Sequence, residues 1–450
     1  MSVPGCDSKD FSVLGRAAAA LGVVVAAGLV ARVLMVMSRP PVSDPDTASY
    51  VELARDIRLM SFRGWDGART PVYPLLLLAG GCNLDTARIV QILIGIATAS
   101  ILVLMVVRRT QSGVFAAMVG LAYVLDLGQM SFESALMSET LCTFFLLASV
   151  FVLDHIVSGR QMSERERLAL CATLGLLTAV TALTRPLYSF VIVIYFFAVR
   201  GLAAPWQART RWWAASLTAL VAPAAGLMLA WCAFNWLTVG YFGLMSTVGF
   251  GLSNQSGEFM EMAPDRYAAI RDPYLRAVRR QLATSGSRFE PIFDAAPEIY
   301  RETGWSDVEL SRRLTRMSIE MFASHPLLYA QGVSRAWIRF WVPGAYYDVL
   351  LNHGQQGLMV RLWRLQKPFF FGINILFLLL SGSCLVRWVR RRPNAGLVRY
   401  LVALVLVASL VQAAMELGEN SRYSVPTYPV VLYVVSIWAW DLRRRYSAAA

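Results

Sequence analysis

Apolar runs long enough to cross a bilayer recur from one end of the chain to the other, separated by short polar breaks. Ten spans are predicted, at about 15–37, 84–107, 112–127, 135–157, 168–184, 186–200, 213–237, 368–386, 397–416 and 425–441. The run 168–200 is interrupted only by Thr184-Arg185-Pro186 and reads as two helices joined by a tight turn. The expected fold class is an all-α polytopic membrane protein with about ten transmembrane helices. Two polar segments are long. The first, 38–83, opens with Ser43-Asp44-Pro45-Asp46-Thr47, a helix N-cap signal, and continues through an amphipathic stretch at 50–60. After Arg69-Thr70-Pro71-Val72-Tyr73-Pro74 it closes on an apolar run, 75–79, too short to span; interfacial helices are expected here. The second, 238–367, has nearly balanced charge, scattered Gly, Pro and Trp, and helical patterns near 262–283 and 306–341. It is expected to be a small, mostly helical outer domain between an N-terminal transmembrane module, 1–237, and a C-terminal one, 368–450.

Composition and charge sharpen this picture. Of 450 residues, 56% are hydrophobic, above the roughly 45–50% of soluble domains. The first run is too long for a signal-peptide core and no small-residue cleavage pattern follows it, so it is expected to be retained as a helix. Basic residues outnumber acidic ones 42 to 29, and Lys9 and Lys367 are the only lysines. In a soluble protein such a balance suggests nucleic acid; here the charge sits in short loops, and no nucleic-acid partner is expected. With the N-terminus in the cytoplasm, every inner segment is basic: Lys9 and Arg16; Arg108 and Arg109; Arg160, Arg165 and Arg167; Arg200, Arg209 and Arg211; Arg387, Arg390, Arg391, Arg392 and Arg399; Arg443, Arg444 and Arg445. The short outer segments near 128–134, 185 and 417–424 carry one Arg or none. The opposite orientation would break the rule at all six inner segments. A multi-pass protein of a plasma membrane follows, with both termini cytoplasmic. The six cysteines, Cys6, Cys82, Cys142, Cys171, Cys232 and Cys384, form no CxxC or Cys/His cluster, so neither a zinc site nor a disulfide framework is indicated. No internal repeat, P-loop or GxGxxG motif is present.

The candidate chemistry lies on the outer side. Asp44 and Asp46 follow the first span, where a carboxylate can act as general base on an acceptor or cap a helix. Arg69 precedes a turn into the membrane surface, where a guanidinium suits a phosphate or snorkels to headgroups. Arg185 sits at the apex of an apolar hairpin, a costly position unless a phosphate or carboxylate pairs with it. Glu133 and Glu139 are six residues apart and do not share a helix face; either can meet an arginine, cap, or face water. Glu416, Glu419 and Arg422 crowd one outer turn, as ion pairs around a site or as a solvated turn. His325 and His353 are the outer histidines, and His325, before Pro326, reads first as structural; His155 is expected at an inner helix end. Carboxylates and arginines from distant parts of the chain thus map to one side of the membrane at one depth. A water-filled outer cavity there would admit a lipid phosphate from the side and a polar acceptor from above.

These segments resemble the GT-C fold integral-membrane glycosyltransferases, and within them the group of protein O-mannosyltransferases and lipid A aminoarabinose transferases. The likeness rests on Arg32 near the outer end of the first span, Asp46-Thr47-Ala48-Ser49-Tyr50 with Leu53-Ala54, and Arg69-Thr70-Pro71-Val72-Tyr73-Pro74. Further support comes from 133–141, Arg185-Pro186, and Asn420-Ser421-Arg422-Tyr423-Ser424-Val425-Pro426. It extends over most of the chain and is weakest across 238–366. The resemblance implies a periplasmic active site at a bacterial inner membrane, in which a sugar moves from a polyprenyl-phosphate donor in one inverting displacement. The acceptor would be a glycan, a glycolipid or a protein. Asp46 would be the catalytic base, with Asp44 the competing position. Arg69, Arg185 and Arg422 would hold the donor phosphate, with Tyr50, Tyr73, Asp44, Glu133 and Glu139 lining the substrate site. No metal or other cofactor is expected to be required. Two other readings compete. An O-antigen ligase or polymerase would place its chemistry on Arg and His within 238–366. A lipid or sugar transporter would show broken, charged helices at mid-membrane and a repeat between halves.

Overall fold

A computed structural model describes residues 8–38, 41–43, 45–158, 162–202, 210–346, 350, 357–389, 396–418 and 420–449. Cys6, Asp44, Arg160, Arg209, His353, Arg390 to Arg392 and Glu419 lie outside the described residues. The first half of the chain forms α1 (Ser8–Ser38), α2 (Pro45–Leu59), α3 (Val72–Ala79), α4 (Leu84–Thr110), α5 (Gly113–Val124), α6 (Leu127–Ser134), α7 (Glu139–Val157) and α8 (Glu164–Thr184). After a 3-10 turn, Pro186–Phe190, come α9 (Val191–Leu202) and α10 (Thr210–Val239). The segment expected to be the outer domain holds α11 (Val248–Ser256), α12 (Ala268–Ser285), α13 (Pro291–Thr303), α14 (Asp307–Ser324) and α15 (Pro326–Phe340). The chain returns through α16 (Leu358–Val389), α17 (Val398–Met415), the single turn α18 (Asn420–Tyr423) and α19 (Tyr428–Ala449). Among the described residues the extended pairing is one isolated bridge, Val42 with Ala135.

The protein is an all-α polytopic membrane protein. Among the described residues eight helices are long and apolar enough to cross a bilayer, or nine if α5 and α6, bent by 51° at their junction, are counted as one span. The tenth expected crossing, 186–200, is the shorter apolar segment Pro186–Leu202. Pro186 has no N–H with which to continue the ladder of α8, so the run breaks there and Arg185 turns extended (φ −142°, ψ 111°).

Three readings of the sequence change. The stretch 128–134, taken as a short outer segment, is the wholly buried helix α6. Asp126 caps it, Oδ1 accepting from Gly128 N at 2.8 Å, and its polar side chains Gln129, Ser131 and Glu133 face the interior, where hydropathy alone does not put them. Helix α16 starts at Leu358 rather than 368, because the basic amphipathic stretch before Pro368 continues the helix. The pattern at 306–341 is two helices, α14 and α15, since Pro326 opens a new one.

Helices α4, α7 and α19 bury the most surface, whereas α1, α10 and α16 are peripheral. Leu102, Val106, Leu146, Val150 and Val430 of the first three pack in one core with Leu404 of α17, the form that association takes where lipid is as apolar as the side chains. The outer domain has its own core around Ile270, Ile292, Leu310, Leu314 and Met317. At one end of the bundle Arg108 meets His155 Nδ1 at 3.0 Å and Arg109 meets Asp441 at 3.5 Å. A Cβ at Gly113 would strike the backbone of Arg16, and one at Gly201 the hydroxyl of Tyr400. Ends expected to share a side therefore do. That domain is fastened to the other end at several places, of which two frame the site. Ser246 N donates to Gly67 O at 2.8 Å and its Oγ to Asp66 O at 2.7 Å; Gly67 adopts φ +76° there, and a Cβ on it would stand 3.3 Å from that of Ser246. Asn254 Nδ2, on α11, donates to Glu416 Oε1 at 3.0 Å.

Candidate active site

Asp46 lies in the first turn of α2, where the exposed N–H groups and helix dipole favour a carboxylate. The turn is fixed by Thr47, whose Oγ1 donates to Leu136 O at 3.2 Å, and by the Val42 bridge, with Val42 N to Ser134 O at 3.1 Å and Leu136 N to Val42 O at 3.2 Å. Three residues on, Ser49 Oγ donates to Asp46 O at 2.8 Å and accepts from Arg69 Nε at 2.7 Å. Arg69 Nη2 then reaches Asp46 Oδ1 at 2.5 Å, and its guanidinium lies over the Tyr50 ring, 4.7 Å from the centroid. Tyr50 is braced edge-on by Tyr73 at 4.8 Å, and its hydroxyl is 3.3 Å from Ser138 Oγ. Tyr73 itself is fully buried, with its hydroxyl donating to Gln91 Oε1 at 2.6 Å.

The second side of the site comes from the other half of the molecule. Glu139 opens α7, fully buried. Its Oε1 lies 2.6 Å from Arg185 Nη1 and also receives Arg422 Nε. Arg422 Nη2 spans to Asp46 Oδ2 at 3.1 Å. Arg185, between α8 and the 3-10 turn, stacks over Tyr423 at 4.7 Å. It is held in register by Thr70, next to Arg69, whose Oγ1 donates to Thr184 O at 3.3 Å. Asp46, Arg69, Glu139, Arg185 and Arg422 thus form one network from five parts of the chain. Among the described residues three guanidinium groups and two carboxylates meet here.

The two carboxylates differ in access: the side chain of Asp46 is 31% exposed and that of Glu139 is 0% exposed. Burial by itself would raise the Asp46 carboxyl, but the charges of Arg69 and Arg422, and the hydrogen bonds they make, hold it below the ordinary carboxylate value. Asp46 is the carboxylate a substrate can reach, and Glu139 braces the arginines from beneath.

Of the residues expected at the site, the structure brings together Asp46, Tyr50, Arg69, Glu139, Arg185 and Arg422, with Tyr73 behind them; Asp44 lies outside the described residues. Glu133 is placed elsewhere. Its Oε2 and Oε1 accept from Arg32 Nε and Nη2 at 2.7 and 2.6 Å, and both side chains are sealed, 2% and 1% exposed. A Cβ at Gly95 would overlap the Glu133 carboxylate, so α4 leaves a gap in which that pair sits. Sequence reasoning missed Ser49, Ser138 and Gln91, and gave Tyr423 no role. Ser49, Ser138 and Tyr423 lay within recognised segments; Gln91 carries no local signal and is found only through contacts. His325 links α14 to α15 with its ring edge-on to Phe259 at 5.9 Å. Among the described residues no three His, Cys, Asp or Glu side chains gather as metal ligands.

No protein-family model and no curated protein sequence matches the chain. Among solved structures it is similar to ArnT from Cupriavidus metallidurans, crystallised bound to undecaprenyl phosphate. The likeness has 14% identity and a TM-score of 0.37, and covers 91% of this chain and 77% of that one. A likeness of that degree assigns neither family nor activity, and the functional reading below stands on the network of Asp46 and its arginines.

Proposed function

We propose that the chain is a glycosyltransferase that takes a sugar from a polyprenyl-phosphate donor and passes it to an acceptor at the periplasmic face of a bacterial inner membrane. The observation that carries this is a reachable carboxylate, Asp46, flanked by the guanidinium groups of Arg69 and Arg422 at the end of a membrane-spanning bundle. A sugar joined to a lipid by a phosphodiester carries one negative charge, the kind of group that guanidinium forks bind. The outer side is favoured by the basic segments at the opposite ends of the spans.

In the step proposed, Asp46 accepts the proton of the acceptor hydroxyl or amine as that atom attacks the anomeric carbon. The bond from that carbon to the phosphate oxygen breaks, and its electron pair leaves with the polyprenyl phosphate. A single displacement inverts the anomeric centre. The phosphate gains negative charge as it leaves, and guanidinium groups already in place stabilise that charge without reorganisation. Arg69 and Arg422 are the guanidinium groups beside Asp46, and Arg185 stands behind Arg422 on Glu139. No metal is assigned a step, and transfer is expected to continue in the presence of a chelator. The ligase reading placed its chemistry on Arg and His within 238–366; the contacts of His325 are those of a helix junction.

The test is transfer of radiolabelled sugar from a polyprenyl-phosphate donor in membranes containing wild type or Asp46→Asn, with expression level as the control. Transfer by wild type and its loss in the variant is the expected result. Equal transfer by both removes Asp46 from the chemistry and moves attention to Asp44.

A further inference from the structure

The two oxygens of Asp46 are both occupied by guanidinium groups, Oδ1 by Arg69 at 2.5 Å and Oδ2 by Arg422 at 3.1 Å. A carboxylate so engaged is a poor proton acceptor, because taking a proton means giving up an ion pair. Among the described residues Arg69 from the turn before α3 and Arg422 from α18 pair with it, and Tyr50 of its own helix lies under Arg69; Glu139, Arg185 and Tyr423 stand behind Arg422. Both guanidinium groups have a second anchor. Arg69 is also tied to Ser49 Oγ, and Arg422 to Glu139 Oε1. Each can release Asp46 without being left unpaired in a partly buried site.

From this geometry we infer that Asp46 is masked in the free protein and is released as a base by the donor phosphate, which draws Arg69 and Arg422 away from it. The inference rests on the glycosyltransferase reading and adds an order to it: the lipid phosphate binds first, and only then can the acceptor lose its proton. Glu139 is the positioning residue of the exchange, because it keeps Arg422 and Arg185 at the site while Asp46 is free. The masked state also guards against proton abstraction when no donor is bound.

Carbodiimide coupling reads the protonation of Asp46 directly, since the reagent attacks protonated carboxyl groups. The full-length protein in lipid nanodiscs is labelled at about pH 5, where an ordinary carboxylate of pKa about 3.9 is partly protonated. In the free protein the arginines hold the Asp46 carboxyl lower than this, so it stays ionised and reacts poorly. With undecaprenyl phosphate bound, the carboxyl loses its arginines and gains an anionic neighbour, so protonation begins at higher pH and labelling rises. The expected result is a several-fold increase at Asp46 relative to Asp265, whose side chain is 97% exposed on the outer domain, with no increase from undecaprenol. Arg69→Gln is expected to raise labelling without any lipid. Retention of radiolabelled undecaprenyl phosphate is measured on the same samples. Lipid retained with labelling at Asp46 unchanged or reduced overturns the masking and leaves the donor reading standing; no lipid retained overturns both.

Discussion

Glu133 and Glu139 are six residues apart, both buried and both paired with arginine, yet they belong to different kinds of structure. Glu133 meets Arg32 as two parallel hydrogen bonds, one cation to one anion, and the remaining Arg32 nitrogen is spent on Val124 O at 2.8 Å and Gly28 O at 3.2 Å. Nothing is left over for a ligand. Glu139 shares a single oxygen between Arg185 and Arg422, and Arg422 goes on to the reachable Asp46. The first pair is closed in charge and in hydrogen bonds, with both side chains sealed; the second network runs out to a carboxylate that is 31% exposed. What separates a site from a staple here is that open edge, not the presence of a buried ion pair.

The comparison can be broken first at Asp46. Asp46→Asn is expected to lower transfer by about a hundredfold to ten-thousandfold, the range for a general base, with thermal unfolding of the purified protein little changed. Arg32→Gln is expected to do the reverse. Leaving Glu133 buried and unpaired costs about 3–5 kcal/mol, read as a lowered unfolding temperature, and Arg32→Met with Glu133→Leu should recover much of it. A double variant that stays as unstable as Arg32→Gln would show that the pair does more than close the fold.

Removing one phosphate ligand is a smaller change. Arg185→Gln is expected to weaken retention of undecaprenyl phosphate by roughly ten- to a hundredfold, since a hydrogen bond to a charged group contributes about 1.5–3 kcal/mol; unchanged retention would place the phosphate elsewhere. The pH profile sharpens the contrast further. The acid limb of kcat/KM for the donor reports free Asp46, and that of kcat reports the loaded site. With the free carboxyl held low by arginine, activity on the first scale falls only at more acid pH than on the second. Ser49→Ala, which removes one anchor of Arg69 and a hydrogen bond to Asp46 O, is expected to cost least, about 1 kcal/mol, seen as a rise in KM for the donor of a few-fold.

Much of the site was legible because it lies in short segments with strong local signals. The N-cap signal around Asp46 became α2, and the costly Arg185 did find a carboxylate. The alternation of basic and uncharged loops placed Asp46, Arg69, Arg185 and Arg422 at one end of the bundle before any contact was known. Glu133 was misjudged for a physical reason: linear position gives its depth in the chain but not the bend at Asp126 that turns α6 inward to Arg32. Helices α11 and α13 escaped because they are short and sit in a segment without a long apolar run, and their burial comes from each other and α14 rather than from lipid. The network joining Glu139 to Asp46 could not be read at all, since its middle member, Arg422, is 376 residues from one partner and 283 from the other.

That separation has a consequence for how the protein is made. Glu139 and Arg185 are inserted early and can neutralise each other as α7 and α8 pack, whereas Asp46 and Arg69 meet within the first outer loop. Arg422 joins these two halves only when the last spans leave the translocon. A nascent chain halted before α18 therefore holds both half-sites without the bridge between them, and the order of synthesis itself keeps an unfinished protein from presenting the complete network.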